Sequence, residues 1–109
     1  MTQEKLDEML KSHRLWLATE GKEGSRGIFR LANLGGVDLS AQCLRKADFY
    51  GADLSGANLS GSDLRGANLG YANLKGADLQ LANLTDAILK GADLENVDFF
   101  NAVLLRTKF

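Results

Sequence analysis

Leucine or phenylalanine recurs at every fifth position from Phe29 to Phe109, and all seventeen positions of this series carry one of the two. Two residues earlier, eleven of the seventeen positions are Ala, and the residue between them is Asp or Asn in twelve of seventeen. The last position of each five-residue unit is Gly in seven of sixteen cases. The pattern therefore predicts one repeating structure over residues 27–109.

A period of five fits neither an α-helix nor a straight β-strand. In an α-helix at about 100° per residue, each Leu would be rotated by about 140° from the last, so the leucines would form no stripe. In a straight strand, an odd period would place successive leucines on opposite faces. The chain is therefore expected to bend once per unit, with Ala and Leu pointing inward and the Asp or Asn between them pointing outward. Glycine at the last position suits a corner with positive φ, but the mixture with Tyr71, Leu81 and Asp86 indicates corners of more than one kind.

Units such as "ADLSG", "ANLSG", "ADLQL" and "ADLEN" resemble the A(D/N)LXX signature of the pentapeptide-repeat family. The resemblance covers residues 27–109. It implies an all-β solenoid, a right-handed quadrilateral parallel β-helix with four units per coil, in which residues twenty apart are stacked. Sixteen complete units would then form about four coils, and an N-terminal α-helical cap is expected to precede them.

The segment before the repeat has the periodicity of an amphipathic helix over about residues 2–18. Thr2 is the expected N-cap, and the helix is expected to end before Gly21. Its charged residues balance to zero, which favours a cap on the first coil over a membrane-surface helix. The residues expected to form this cap are Leu6, Met9, Leu10, His13, Trp16 and Leu17. Trp16 is expected to be buried near Phe29 and Leu34.

The resulting organisation is a capping helix over residues 1–20, a linker over 21–26 and the β-helix over 27–109. The linker "GKEGSRG" shows a G-x-x-G-x-x-G spacing, but it follows a helix and leads into a strand, the reverse of a phosphate-binding loop. It is therefore interpreted as a flexible connection.

Stacking at twenty residues divides the repeat into four faces. The first face, through Phe29, Phe49, Leu69 and Leu89, carries the apolar outward residues expected to bind a protein partner. These are Ile28, Leu31, Tyr50, Tyr71 and Ile88. The second face, through Leu34, Leu54, Leu74 and Leu94, carries none, the third carries the column Asp38, Asn58, Asp78 and Asp98, and the fourth carries Arg45 and Arg65. By this assignment charge is sorted only weakly among the faces.

The last units, "VDFFNAVLLRTKF", stop in register at Phe109 with no residues left to form a cap. Several outward positions there are apolar where the repeat favours polar residues. A homodimer formed end to end is therefore expected, with an interface of Phe99, Phe100, Val103, Leu104, Leu105 and Phe109. Arg106 and Lys108 are the residues that would keep this end solvated in a monomer.

The charge and the chemistry-bearing residues of the sequence limit the classes of function that it can have. The formal net charge of −1 does not favour nucleic-acid or anionic-membrane binding. The single histidine, His13, and the single cysteine, Cys43, are thirty residues apart without companion ligands, and the recurrent Asp residues belong to the repeat, so no catalytic, metal or cofactor site is predicted. The charged N-terminus lacks the apolar stretch of a signal peptide, and a cytoplasmic protein is expected.

The sequence therefore predicts a non-enzymatic structural or protein-interaction module with an unidentified protein partner. The alternative comes from the resemblance, because some family members are acidic rods that mimic DNA and bind or protect DNA gyrase. This repeat differs from them, since it holds nine acidic and eight basic residues.

Overall fold

The structure is a computed structural model that describes residues 1–109. A single helix, α1 (Gln3–Ala18), is followed by a solenoid without extended strands. Its β-structure consists of thirteen isolated parallel bridges, which run from Ile28–Asp48 to Ile88–Lys108 and always join residues twenty apart. Since a unit has five residues, each turn of the solenoid has four sides, as the sequence resemblance predicts.

Each five-residue unit is tied to its neighbours along the axis by backbone hydrogen bonds. Within the unit centred on Leu54, the Leu54 N–H donates to the Asn73 carbonyl (2.7 Å) and the Gly56 N–H donates to the Lys75 carbonyl (2.9 Å). The Asp53 N–H donates in the opposite direction, to the Ala32 carbonyl (2.9 Å). The repeat thus satisfies its own backbone only where a further turn of chain lies on both sides.

The core is a stack of the central Leu and Phe residues with the small residues two positions earlier. In the middle of the stack, residues 47–86, both sets are completely buried, and the one hydroxyl among them, on Ser62, donates to the Leu59 carbonyl (2.6 Å). Most departures from Ala at the small position lie instead in the N-terminal layer (residues 27–46) or from residue 87 onward. They are Gly27, Val37, Gln42, Val97 and Thr107. Four of the five are larger than Ala, and they fit because a turn of the solenoid packs on only one side of them.

Every corner of the solenoid has the same backbone conformation, contrary to the expectation of mixed corners. All sixteen residues at the last position of a unit have positive φ, between 53° and 73°, and nine of them are not Gly. Tyr71, Leu81 and Asp86 are among these nine. A left-handed residue costs about 1–2 kcal/mol. The corner N–H donates to the next turn in the twelve corners from Leu31 to Asp86, and fifteen of the sixteen corners are closed by a hydrogen bond from the following residue back to the central Leu or Phe. In the unit of Tyr71, for example, the Tyr71 N–H donates to the Lys90 carbonyl and the Ala72 N–H to the Leu69 carbonyl.

Helix α1 begins and ends close to the predicted positions. The Thr2 hydroxyl accepts the Lys5 N–H (3.1 Å) as the N-cap. Leu6 and Leu10 are buried in the same hydrophobic cluster as the solenoid leucines, and Met9 packs against it. The helix is too short and too polar to cross a bilayer.

Trp16 is not buried near Phe29 and Leu34 as expected. Its indole is half-buried near the end of α1, where it lies against Gly21 and stacks on the His13 ring at 5.8 Å between centroids. The helical spacing placed Trp16 beside the apolar stripe and not within it. Leu17 is also only half-buried.

The linker over residues 21–26 is attached to both elements and is not a loose connection. The Ser25 N–H donates to the Ser12 hydroxyl (2.9 Å), and the Arg26 guanidinium donates to the Lys46 carbonyl (2.6 Å). Gly24 lies so close to α1 that a Cβ there would collide with the Ser12 backbone. The glycine spacing therefore reflects close packing on the helix.

Candidate interaction surfaces

The outward Asp and Asn residues of the repeat have a structural role. All twelve accept, through Oδ1, the backbone N–H two residues ahead; Asp53, for example, accepts the Ser55 N–H at 3.0 Å. The Ser55 hydroxyl also donates to Asp53 (2.7 Å), and these two bonds lower the pKa of its carboxyl. Sequence reasoning missed this role. Its signal was the interchange of Asp with Asn and the absence of the longer Glu and Gln at this position.

His13 is a buried structural residue at the junction of α1 and the solenoid. Its Nδ1 accepts the Gly27 N–H (2.8 Å), so the ring proton lies on Nε2, which has no hydrogen-bond partner. Burial lowers the pKa of His13, and the charge of Arg26 acts in the same direction against a raising effect of the Arg45 carbonyl. Cys43 is half-buried on the fourth face, and no three potential metal ligands are grouped anywhere in the molecule.

The predicted apolar residues of the first face lie together on the surface. Leu31 and Tyr71 are the most exposed, at 76% and 56%, while Ile28 and Ile88 are less so and Tyr50 is half-buried. Two of these side chains extend along the solenoid axis over a glycine in the next turn of chain. A Cβ on Gly91 would clash with the Tyr71 ring, and one on Gly51 would clash with Leu31.

Tyr50 links the apolar residues to the charged ones on this face. The Arg30 guanidinium lies 4.4 Å from the centre of the Tyr50 ring and pairs with Asp48 (3.2 Å). The Tyr50 ring also meets the Tyr71 ring edge-on, with 5.6 Å between centroids. These contacts hold the aromatic side chains in one arrangement before any partner binds.

A groove of about 350 Å³ adjoins this face at the N-terminal end of the solenoid. It lies between α1 and the first unit of the repeat. Its apolar lining is Met9 and Ile28, and its charged lining is Lys5, Glu8 and Arg26. Ile28 therefore belongs both to the groove and to the first face.

Exposure of the core positions increases along the C-terminal layer, residues 87–106, from the buried Leu89 to the exposed Leu104. Leu104 is 40% exposed and Phe109 is 63% exposed, whereas Phe99 is half-buried. The outward residues Phe100, Val103 and Leu105 are exposed as well. From Leu94 onward, the N–H groups of the central Leu and Phe residues make no backbone hydrogen bond to another turn.

Charge is sorted between two halves of the solenoid more strongly than the sequence columns suggested. The first and fourth faces, which adjoin, carry seven Lys and Arg residues and three Asp. The second and third faces carry one Lys and six Asp or Glu. We call these the basic half and the acidic half.

Ion pairing inside each half accentuates this difference. All three carboxylates of the basic half are paired with an arginine: Asp48 with Arg30, Asp63 with Arg65 and Asp86 with Arg106. The cations left there without an ion pair are Arg45, Lys46, Lys90 and Lys108. On the acidic half the one cation, Lys75, pairs with Glu95 (3.6 Å) and leaves five aspartates without an ion pair. Opposite sides of the rod thus carry opposite unpaired charge.

The parallel bridges between residues twenty apart, the positive-φ corners and the hydrogen bonds accepted by the outward Asp and Asn side chains together define a solenoid built from five-residue units. The family model for pentapeptide repeats matches residues 32–70 and 62–101, with eight copies in all. The chain belongs to the pentapeptide-repeat family, whose fold is the right-handed quadrilateral β-helix. Among curated proteins, no relative is found.

Solved structures of the same family resemble the chain. A pentapeptide repeat protein from the thylakoid lumen of Arabidopsis thaliana is 40% identical over 70% of this chain and 57% of its own length, with a TM-score of 0.52. One from Nostoc is 34% identical over 82% of this chain and 73% of its own, with a TM-score of 0.59. One from the cyanobacterium Cyanothece is 38% identical over 72% and 57%, with a TM-score of 0.50. The matched part is thus little more than half of the first and third relatives.

Proposed function

We propose that this protein is a non-enzymatic interaction module that binds a protein partner through its first face. The observation that carries the proposal is the exposed apolar patch of Ile28, Leu31, Tyr50, Tyr71 and Ile88, fixed on a backbone whose every turn is hydrogen-bonded to the next. Exposed patches of this kind on a polar surface are typical of docking sites. The aromatic side chains lose little freedom on binding, because they already lie against glycines and Arg30.

The experiment that tests this function is site-specific photo-crosslinking in the cells that produce the protein. A benzophenone amino acid in place of Tyr71 is expected to give a discrete crosslinked band. The same amino acid in place of Lys75, which is exposed on the second face, is the matched control and is expected to give none. Equal labelling from both positions would remove the first face as the docking site.

The finer architecture that we propose is four complete coils over residues 27–106 with α1 as a cap on the first. Leu6 and Leu10 in the solenoid core cluster and the His13–Gly27 hydrogen bond support the cap. Such an end otherwise exposes core leucines and backbone groups. Proteolytic removal of residues 1–20 is therefore expected to make the remaining protein aggregate, and a soluble, monomeric remainder would contradict the cap.

We also propose a homodimer formed by two C-terminal layers that meet about a two-fold axis. Phe99, Phe100, Val103, Leu104, Leu105 and Phe109 would be covered on both copies by one self-complementary contact. A stable interface of standard size buries about 800 Å² on each partner. Light scattering after size exclusion is expected to give the mass of two chains, and the mass of one chain for Phe100→Asp with Leu105→Asp. A single-chain mass for both proteins would contradict the dimer.

The unpaired charges favour the interaction module over the DNA mimic. A protein that replaces DNA needs negative charge around the rod, whereas half of this solenoid has unpaired cations. We expect excess protein to leave the supercoiling activity of DNA gyrase unchanged.

A further inference from the structure

We infer that the partner segment recognised by the first face is an extended, acidic peptide with alternating apolar side chains. This inference rests on the proposed function and specifies the chemistry of its partner. Two observations point to it: the apolar patch lies wholly on the basic half, and the unpaired cations Lys90 and Lys108 lie on the same face as Tyr71 and Ile88.

The unpaired charge on this face is positive and lies at its C-terminal end. Its one carboxylate, Asp48, is already engaged by Arg30 and by the Tyr50 N–H (3.0 Å). Lys90 and Lys108 are exposed and make no ion pair inside the molecule. Carboxylates of a partner would therefore find free ammonium groups and little competing negative charge.

The arrangement of apolar residues fits an extended segment running along the axis. Ile28, Asp48, Asn68 and Ile88 form one ladder column, so Ile28 and Ile88 are three turns apart, or about 14 Å at the usual spacing of about 4.8 Å. An extended peptide covers that distance with about four or five residues. The groove beside Ile28, whose lining is mainly polar, lies at one end of this column, and Lys90 and Lys108 lie at the other.

Two other occupants fit this surface less well. The acidic half of a second copy has the complementary charge, but its exposed apolar side chains, Leu81 and Phe100, lie in two adjacent turns, whereas the patch extends over three turns from Ile28 to Ile88. A single-stranded nucleic acid would need cations spaced along its backbone and open aromatic faces. The whole basic half has only four unpaired cations, and the Tyr71 ring lies against Gly91, so neither requirement for a single-stranded nucleic acid is met.

The test is fluorescence anisotropy with a fluorescein-labelled (Glu-Leu)4 peptide in about 50 mM NaCl, where screening is weak. Saturable binding is expected. Lys90→Glu with Lys108→Glu is expected to raise the Kd at least tenfold, and Tyr71→Ser is expected to raise it to a similar extent. Lys75→Glu reverses the one cation of the acidic half, to be compared with Lys90→Glu alone, and is expected to leave the Kd within twofold. All four positions are exposed, and circular dichroism checks that each variant is folded.

Three probes separate the sources of binding. A (Glu-Ser)4 peptide, which has the charge without the apolar side chains, and a (Lys-Leu)4 peptide are both expected to bind at least tenfold more weakly. Equal binding of (Lys-Leu)4, tighter binding of a (dT)8 oligonucleotide, or no effect of the two lysine reversals would overturn the inference. If no peptide binds while the crosslink from position 71 persists, the partner chemistry is wrong and the interaction module stands. If the crosslink from position 71 is lost as well, both the acidic-peptide partner and the docking role of the first face are wrong.

Discussion

The two ends of the solenoid are built from the same repeat but have different surroundings. At the N-terminal end, Leu34, Leu39 and Leu44 have an exposure of 1% or less, and α1 contributes Leu6 and Leu10 to the same cluster. At the C-terminal end, Leu104 in the same column as Leu44 is 40% exposed. A pentapeptide unit therefore buries its own leucine only when chain lies on both sides of it.

Two departures from the repeat at the N-terminal end lie where α1 meets the solenoid. Gly27 replaces Ala in the first unit, because a Cβ there would clash with the Phe29 ring, and its N–H binds His13. Gln42 replaces Ala in the fourth unit and accepts a hydrogen bond from Arg14 of α1 (3.3 Å). These two departures from the repeat thus lie at its contact with α1.

The largest expected difference between the two ends is in the stability lost on truncating a core leucine, which a matched pair of substitutions measures. Leu44→Ala removes a fully buried side chain and is expected to lower the free energy of unfolding by about 2–5 kcal/mol. Leu104→Ala, three turns away in the same column, is expected to cost only about 1 kcal/mol in the single-chain background of Phe100→Asp with Leu105→Asp, because much of that side chain is then in water. Urea unfolding followed by circular dichroism measures both, and equal losses would mean that the C-terminal layer is covered in solution.

A second test concerns the attachment of α1. His13→Ala leaves the Gly27 N–H without its acceptor, and a buried unpaired donor costs about 1–3 kcal/mol. His13→Asn is the control, since an amide oxygen can take the place of Nδ1. We expect His13→Ala to lose more stability than His13→Asn and to shift the Trp16 fluorescence toward that of an exposed indole. An unchanged emission spectrum in both variants would contradict a docking role for His13.

The pH dependence of stability gives a third test of the N-terminal end. The pKa of His13 is below its ordinary value of 6.5, so folding favours the neutral ring and the unfolded chain binds the proton more readily. Stability from this group is therefore complete above pH 6.5 and declines as the pH falls below it. His13 is the only histidine, so the His13→Asn variant is expected to lose this decline. A wild-type stability that is flat between pH 5 and 7.5 would rule out the burial of a neutral ring.

The smallest expected effect is at Gln42, the least typical residue of the small-residue column. The Arg14–Gln42 hydrogen bond is exposed, so Gln42→Ala is expected to change the free energy of unfolding by less than about 0.5 kcal/mol. Thermal unfolding measures it. A loss above about 1 kcal/mol would show that α1 is held partly by this contact.

Much of the fold could be predicted from the sequence because its determinants are local. The period of five excluded a helix and a straight strand, and the spacing in α1 placed Leu6, Leu10 and His13 on its buried side. The corners were predicted wrongly, since residues such as Leu81 disfavour positive φ by themselves. A hydrogen bond across the corner, from the following residue to the central Leu or Phe, closes fifteen of the sixteen corners, and residue type alone does not reveal it.

The surfaces were less predictable than the core. The apolar residues of the first face could be listed once units were stacked at twenty, and the structure places them together, although their binding role remains a prediction. The pairing of Asp48, Asp63 and Asp86 with arginines depends on side-chain geometry. Asp86 and Arg106 are twenty residues apart, and their hydrogen bonds lower the pKa of the Asp86 carboxyl. Counting charges by column could not separate paired from unpaired groups.

The twenty-residue ladder constrains how such a chain can lengthen or shorten. Because a unit occupies one side of a four-sided turn, inserting five residues would keep the leucines inward but move every later residue to the next side. A single unit added between Tyr50 and Tyr71 would therefore place these two residues on different sides. It would also align acidic columns of one part of the stack with basic columns of the other. Only gains or losses of twenty residues preserve the sides, so duplication of whole turns is the change in length that leaves the recognition surfaces of this protein aligned.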